Sequence, residues 1–180
     1  MIRRQRSMFA LLAAAAAAAC QYSANRPPSI RSATAEIRSA TGVRHGTLVL
    51  EHTAAGLRIS GALTGLPAGV HGMHFHQVGR CDAPDFTSAG PHLNPTAAAH
   101  GLDNPRGPHA GDLPNEVANE AGQMVVDVAT PRVTLAQQPA TGLLDADGTA
   151  LVIHANRDDQ RTDPAGNSGE RIACGVITRT

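Results

Sequence analysis

From Ala33 onward apolar and polar residues exchange every one or two positions within short blocks: ATAEIRSA, GTLVLEHTA and GLRISGALTGL, with Gly or Pro falling between blocks at strand-scale spacing. Blocks of the same texture return as GQMVVDVAT, RVTLA, GTALVIHA and IACGVITR. Together with the segment around Met73 to His76, this predicts about eight short strands and few helical periods, the pattern of an antiparallel sandwich or barrel.

The first thirty residues have a different pattern. Arg3, Arg4 and Arg6 precede an apolar run from Met8 to Ala19, the charged and hydrophobic regions of an export signal covering 1–19. The run is short for a bilayer span. The other reading, a buried N-terminal helix, would rest on nearly pure alanine with no amphipathic stripe. Cys20 follows Ala17-Ala18-Ala19, which resembles the lipobox of bacterial lipoproteins, whose cysteine is acylated after cleavage. Ala17 stands where that motif usually has leucine, so plain secretory cleavage near the same point stays open. SANRPPSIRS then reads as a flexible tether, giving a tether over 20–32 and a folded domain over 33–180.

Composition narrows the partners. The chain of 180 residues balances 15 Lys+Arg against 15 Asp+Glu, and no basic run favours nucleic acid. Loss of 1–19 removes three arginines and no acids, leaving 12 against 15, a net charge of −3. Lysine and tryptophan are absent and aromatics make up 2%, so the core must be built from Val, Ile, Leu and Ala.

Histidine supplies the chemistry. Five of the nine histidines lie between Gly72 and Asp112. In a strand, His74 and His76 project to one face while Met73 and Phe75 project to the other. Taken alone, that pair fits two histidines on a wet strand face equally well. His92, His100, His109 and Asp112 then follow in a long segment rich in Gly, Pro, Asn and Ala. A loop of that length with little apolar content needs another source of order, and metal coordination can supply it. Three imidazoles and a carboxylate suit a closed tetrahedral zinc site.

GMHFH, SAGPHLNP, His100, HAGDLPN, LVIHA and GERIACGVI, in that order, resemble the successive signatures of the copper/zinc superoxide dismutases. The resemblance runs from about Ala33 to Ile177 and implies an all-β, eight-stranded antiparallel Greek-key barrel or sandwich with long metal-binding and electrostatic loops. Carried over by motif, His74, His76, His92 and His154 match copper ligands, and His92, His100, His109 and Asp112 match zinc ligands, so His92 bridges the two. Imidazoles suit Cu(II), and a mixed nitrogen and oxygen set suits zinc. Asp158 matches the aspartate that joins one ligand of each metal, here His74 and His100, and Arg171 matches the arginine that orients superoxide.

Three cysteines leave Cys81 and Cys174 as a pair once Cys20 is assigned to the signal boundary. The resemblance implies a disulfide between them, with two free thiols as the other reading. His71 is expected to be structural, and His45 and His52 to be surface or strand residues.

The resemblance implies an exported enzyme of the periplasm or cell envelope that turns superoxide into dioxygen and hydrogen peroxide by copper redox cycling, as a monomer or homodimer. Catalytic roles would fall to Arg171 and His92. Two other classes compete: a non-catalytic copper/zinc-binding protein of the same fold, and a metal-independent interaction module of the envelope. A complete copper set beside Arg171 argues against both. The segment 155–170, which the family uses to guide substrate, is 16 residues long, shorter than in many eukaryotic members.

Overall fold

The computed structural model describes residues 31–137 and 140–180. The proposed signal over 1–19 and the acylation site Cys20 lie outside these residues, as does all but the end of the tether. Among the described residues no helix is long and apolar enough to cross a membrane.

The described residues form nine strands: β1 (Ser32–Ser39), β2 (Arg44–Thr53), β3 (Gly56–Leu63), β4 (Gly69–His71), β5 (Met73–His76), β6 (Glu116–Ala118), β7 (Met124–Thr130), β8 (Ala150–His154) and β9 (Arg171–Arg179). Their order in the sheet is β4-β6-β7-β3-β2-β1-β9-β8-β5, with antiparallel pairing throughout. The two end strands are consecutive in sequence, separated only by Gly72. They are halves of one strand that changes partner from β6 to β8, which nearly closes the sheet into a barrel. Joining them gives eight strands, the number expected from the sequence, though not the same eight segments.

Gly72 marks the changeover for a steric reason. Its N–H donates to the Asn156 carbonyl at 2.8 Å, and its own carbonyl accepts from the His154 N–H at 2.9 Å. A β-carbon here would lie 3.0 Å from the Ser168 Cβ, 3.1 Å from the Asp158 Cβ and 3.3 Å from the His74 Cε1. The bare backbone lets the loop after β8 pack against the strand that carries the histidines.

The alternation read from the sequence decides what enters the barrel. Ala33, Ala35 and Ile37 of β1, Leu48 and Leu50 of β2, Leu57, Ile59 and Leu63 of β3, and Met124 and Val126 of β7 are buried. Each fully buried Leu or Ile side chain contributes about 1.5–3 kcal/mol relative to exposure. Aromatics are nearly absent, and Phe75 is the largest side chain fully inside.

Two local expectations need correction. RVTLA does not form a strand: Pro131 cannot donate to a ladder, and the chain leaves the sheet after Thr130. Val133 and Leu135 are still buried, and Thr134 forms only an isolated bridge with Gly142. Conversely, Glu116–Ala118 forms β6 although three residues are too few to show an alternation. In addition, β1 begins at Ser32, one residue ahead of the expected domain boundary.

Two segments without strands build one wall. The long one runs from β5 to β6, and the shorter one from β8 to β9. They are tied by Leu102 N–H to Gln160 Oε1 (3.1 Å), Asp103 N–H to the Gln160 carbonyl (3.1 Å) and Asn104 Nδ2 to the Arg161 carbonyl (2.9 Å). Cys81 and Cys174 form a disulfide with a Cα–Cα distance of 5.7 Å, which fastens the long segment to β9. Such a bond marks a protein of an oxidising compartment.

Candidate metal centre

β5 puts His74 and His76 on one side and buries Met73 and Phe75 on the other. One edge of β5 pairs with β8, and the long segment folds back along the other edge. Leu93 N–H donates to the Phe75 carbonyl (2.8 Å), Phe75 N–H to the Gly111 carbonyl (2.9 Å) and Gln77 N–H to the Pro91 carbonyl (3.0 Å). Isolated bridges His76 to His92 and His74 to Asp112 result, so residues far apart in sequence lie side by side. His154 joins them from the end of β8, where the register with β9 shifts between Ile153 and His154.

Four ring nitrogens converge in a first cluster: His74 Nδ1, His76 Nε2, His92 Nε2 and His154 Nε2 are all buried without a hydrogen-bond partner. The other nitrogen of each of these rings faces an oxygen, with His74 Nε2 at Asp158 Oδ2 (2.7 Å), His76 Nδ1 at the Gly90 carbonyl (2.8 Å), His92 Nδ1 at Asp112 Oδ1 (3.1 Å) and His154 Nδ1 at the Gly169 carbonyl (3.1 Å). Those contacts fix the proton on the outer nitrogen and leave the inner one a bare lone pair. A buried acceptor left unpaired costs about 1–3 kcal/mol, and four such acceptors aimed together make sense only around a cation. The ligating atoms lie within 4.8 Å of one another. Four imidazoles suit copper.

A second cluster uses the opposite face of His92. Asp112 Oδ1 lies 3.1 Å from His92 Nδ1, 3.1 Å from His100 Nδ1 and 3.2 Å from His109 Nδ1, while His92 Nδ1 and His109 Nδ1 are 3.4 Å apart. A tetrahedron with metal bonds of about 2.0 Å has edges of about 3.3 Å, so these separations match zinc. Backbone N–H groups of Gly101 (2.8 Å) and His109 (2.9 Å) hold Asp112 Oδ2. His74 also falls within 4.8 Å of His92, His100 and Asp112. Its Nε2 is engaged by Asp158, however, and its ring stacks on His92 with centroids 3.9 Å apart, so its free nitrogen serves the first cluster.

Asp158 lies between the clusters, fully buried, with Oδ2 on His74 Nε2 and both oxygens 3.0 Å from His100 Nε2. Asn115 clamps its backbone in both directions, and Gln160 N–H donates to Oδ1. A carboxylate so placed sets the tautomer and orientation of one ring from each cluster.

The electrostatics agree with two distinct sites. Burial, reinforced by the neighbouring His92 and by Arg171, holds His76 well below the usual imidazole range. Burial likewise lowers His92 to about 4 and His154 to about 3. These rings are neutral at physiological pH, as metal ligands must be. Burial also opposes charge on His100, but its hydrogen bonds to Asp112 and Asp158 overcome it and raise the ring to about 9, so a metal ion bound at its Nδ1 must displace a proton. Burial works against ionisation of those two carboxyls as well, yet His100 and the adjacent donors hold both well below the usual carboxylate range.

Arg171, at the start of β9, is half-buried and donates Nη1 to the Phe86 carbonyl (2.7 Å) and Nη2 to the Gly90 carbonyl (2.8 Å). His71 sits as a structural bridge between the His154 carbonyl (2.7 Å) and the Pro67 carbonyl (2.9 Å). His45 and His52 are on β2, remote from both clusters, with His45 Nδ1 at the Thr64 carbonyl and His52 Nε2 accepting from Leu135 N–H. All seven residues of the two expected ligand sets thus come together, with Asp158 between them. Asn115, Gln160 and Arg132 also touch this region, and nothing in their sequence context distinguishes them from ordinary loop residues.

Comparison with known proteins agrees with this architecture. Residues 44–177 match the family model described as copper/zinc superoxide dismutase. The chain is 45% identical over 144 residues to superoxide dismutase (Cu-Zn) 1 of Aquifex aeolicus, covering 79% of this chain and 85% of that one. It is 43% identical over 150 residues to the Caulobacter vibrioides superoxide dismutase (Cu-Zn), covering 81% and 85%. Among solved structures, a SOD-like protein from Bacillus subtilis superposes with a TM-score of 0.76 at 37% identity, covering 79% of this chain and 96% of that one. With its barrel, its two histidine clusters and its matched sequence in agreement, the chain belongs to the copper/zinc superoxide dismutase family.

Proposed function

We propose that this protein removes superoxide in the cell envelope, two superoxide ions and two protons giving dioxygen and hydrogen peroxide. In this reading His74, His76, His92 and His154 hold copper, and His92, His100, His109 and Asp112 hold zinc. Copper so held supplies one-electron redox cycling. The observation that carries the reading is the set of four buried, unpartnered imidazole nitrogens beside a half-buried arginine.

The chain's own groups divide the remaining work. Arg171 is fixed by two carbonyls and stays cationic, so it attracts and orients a small anion without first having to be ordered. His92 has one nitrogen in each cluster, and its Nε2 is the atom at which a proton is held and passed on to the departing peroxide. Asp158 keeps protons on His74 Nε2 and His100 Nε2, directing their Nδ1 atoms inward. Asp112 and the zinc set hold the long segment, and so His92, in register with β5.

Export completes the proposal: residues 1–19 direct secretion, Cys20 carries the lipid anchor and 20–32 tether the domain. Protein loaded with both metals should remove superoxide catalytically, and His76→Ala should abolish the activity while zinc remains bound. A fully metallated protein without turnover would favour the non-catalytic metal-binding reading. That reading leaves Arg171 without a purpose.

A further inference from the structure

The geometry points to Arg132 as a positioning residue for the carboxylate of the zinc set, a role that rests on the ligand reading above. Arg132 belongs to neither metal-bearing segment. It follows β7, anchored by the buried Val133 and Leu135 beyond it, and its own N–H donates to Thr130 Oγ1 at 3.3 Å. Its Nη2 reaches across to donate to the backbone carbonyl of Asp112. The Nε is buried with no partner, and burial lowers the guanidinium's affinity for its proton while the Asp112 charge opposes that shift. The guanidinium is half-buried, and the group it touches is the backbone of the one carboxylate among the proposed ligands.

Every oxygen of Asp112 is then accounted for. Oδ1 faces three ring nitrogens, Oδ2 accepts from Gly101 and His109 N–H, and the carbonyl accepts from Arg132. The next carbonyl, that of Leu113, accepts from Gln160 Nε2 at 3.1 Å. Two consecutive peptides are thus pinned by side chains from two other parts of the chain, which fixes the direction in which the Asp112 side chain leaves the backbone. The Asp112 tethers other than Arg132 and Gln160 come from within the metal segment or from β5. Arg132 therefore couples the zinc carboxylate to the chain just beyond β7.

Arg132→Met keeps the aliphatic stem and removes the donor, and Arg132→Lys restores one charged donor. Cobalt(II) in place of zinc reports both affinity, by chelator competition, and geometry, by its visible absorption. The expected result is a tetrahedral cobalt spectrum in the unmodified protein. In Arg132→Met, cobalt affinity should fall about 10- to 100-fold and the spectrum should weaken, while copper affinity is unchanged; Arg132→Lys should fall between. Cobalt affinity and spectrum in Arg132→Met equal to those of the unmodified protein would overturn the inference. So would a parallel loss of copper and cobalt, which marks general loosening. A non-tetrahedral spectrum in the unmodified protein would instead sink the zinc-ligand reading, and this inference with it.

Discussion

Arg171 and His76 donate to the same oxygen: the Gly90 carbonyl accepts Arg171 Nη2 at 2.8 Å and His76 Nδ1 at 2.8 Å. One peptide in the long segment therefore positions both the Arg171 guanidinium and an imidazole of the four-histidine cluster. Under the proposed function this would tie substrate orientation to the site without direct contact between the two side chains.

Arg171→Ala should lower the second-order rate of superoxide removal about tenfold, equivalent to about 1.4 kcal/mol, with both metals still bound. Added salt should slow the unmodified enzyme and affect the variant less, because the chain carries no net positive charge and attraction must be local, within a screening length of about 8 Å. Rate measurements across ionic strength on fully metallated protein check this. An unchanged rate and salt slope would remove Arg171 from the substrate path.

His92→Ala should disturb both metals, since His92 presents Nε2 to one cluster and Nδ1 to the other. Metal analysis after reconstitution should show lost zinc and an altered copper spectrum. Normal content of both metals with an unaltered spectrum would show that the clusters are not coupled through this ring.

Asp158→Asn should weaken zinc binding about 10- to 100-fold, because an amide NH2 in place of Oδ1 would face the His100 Nε2 and Gln160 N–H donors that the carboxylate accepts. Chelator competition measures it. Full retention of zinc affinity would mean that the rings are oriented by packing alone.

Reducing the Cys81–Cys174 bond, which spans 93 residues of sequence, should lower stability by about 2–4 kcal/mol. Denaturation of oxidised and reduced protein at equal metal content gives the difference. Coincident curves would show that the metal segment is held without the bond.

The metal-free protein should lose stability as pH falls from about 6.5. His92 and His154 titrate at about 4 and about 3 when folded, so below the ordinary imidazole value the unfolded chain takes up protons first. At pH 5 each ring would cost up to about 2 kcal/mol, at about 1.4 kcal/mol per pH unit. His100 has the opposite sign: its contribution is fully present below 6.5 and is lost as pH rises through about 9. The depressed Asp112 and Asp158 lose theirs only at lower pH. Urea midpoints of chelator-treated protein at pH 7.5 and pH 5 test the sign, and an equal or higher midpoint at pH 5 would contradict it.

The sequence by itself determined the strands whose two faces meet different surroundings. In β1 the alternation of apolar residues with polar ones is also the alternation of inside and outside, and in β2, β3 and β7 every second apolar residue still turns inward, a relation set by strand geometry. The motifs that carry the family resemblance also named seven candidate ligands, which the fold brings together, and the cysteine pair, which it joins. Tertiary structure decided the rest. RVTLA has a strand's composition but leaves the sheet at Pro131, and β6 is too short to leave a pattern. That His74 to His76 belongs to a strand changing partners at Gly72 depends on close packing against Ser168 and Asp158, which no local periodicity records. The roles of Asn115, Gln160 and Arg132 depend on contacts with residues 20 to 47 positions away. Hydrogen bonds to backbone carbonyls carry no signature in side-chain pattern, so these residues become functional only once the chain has brought them to Asp112, Leu113 and Asp158.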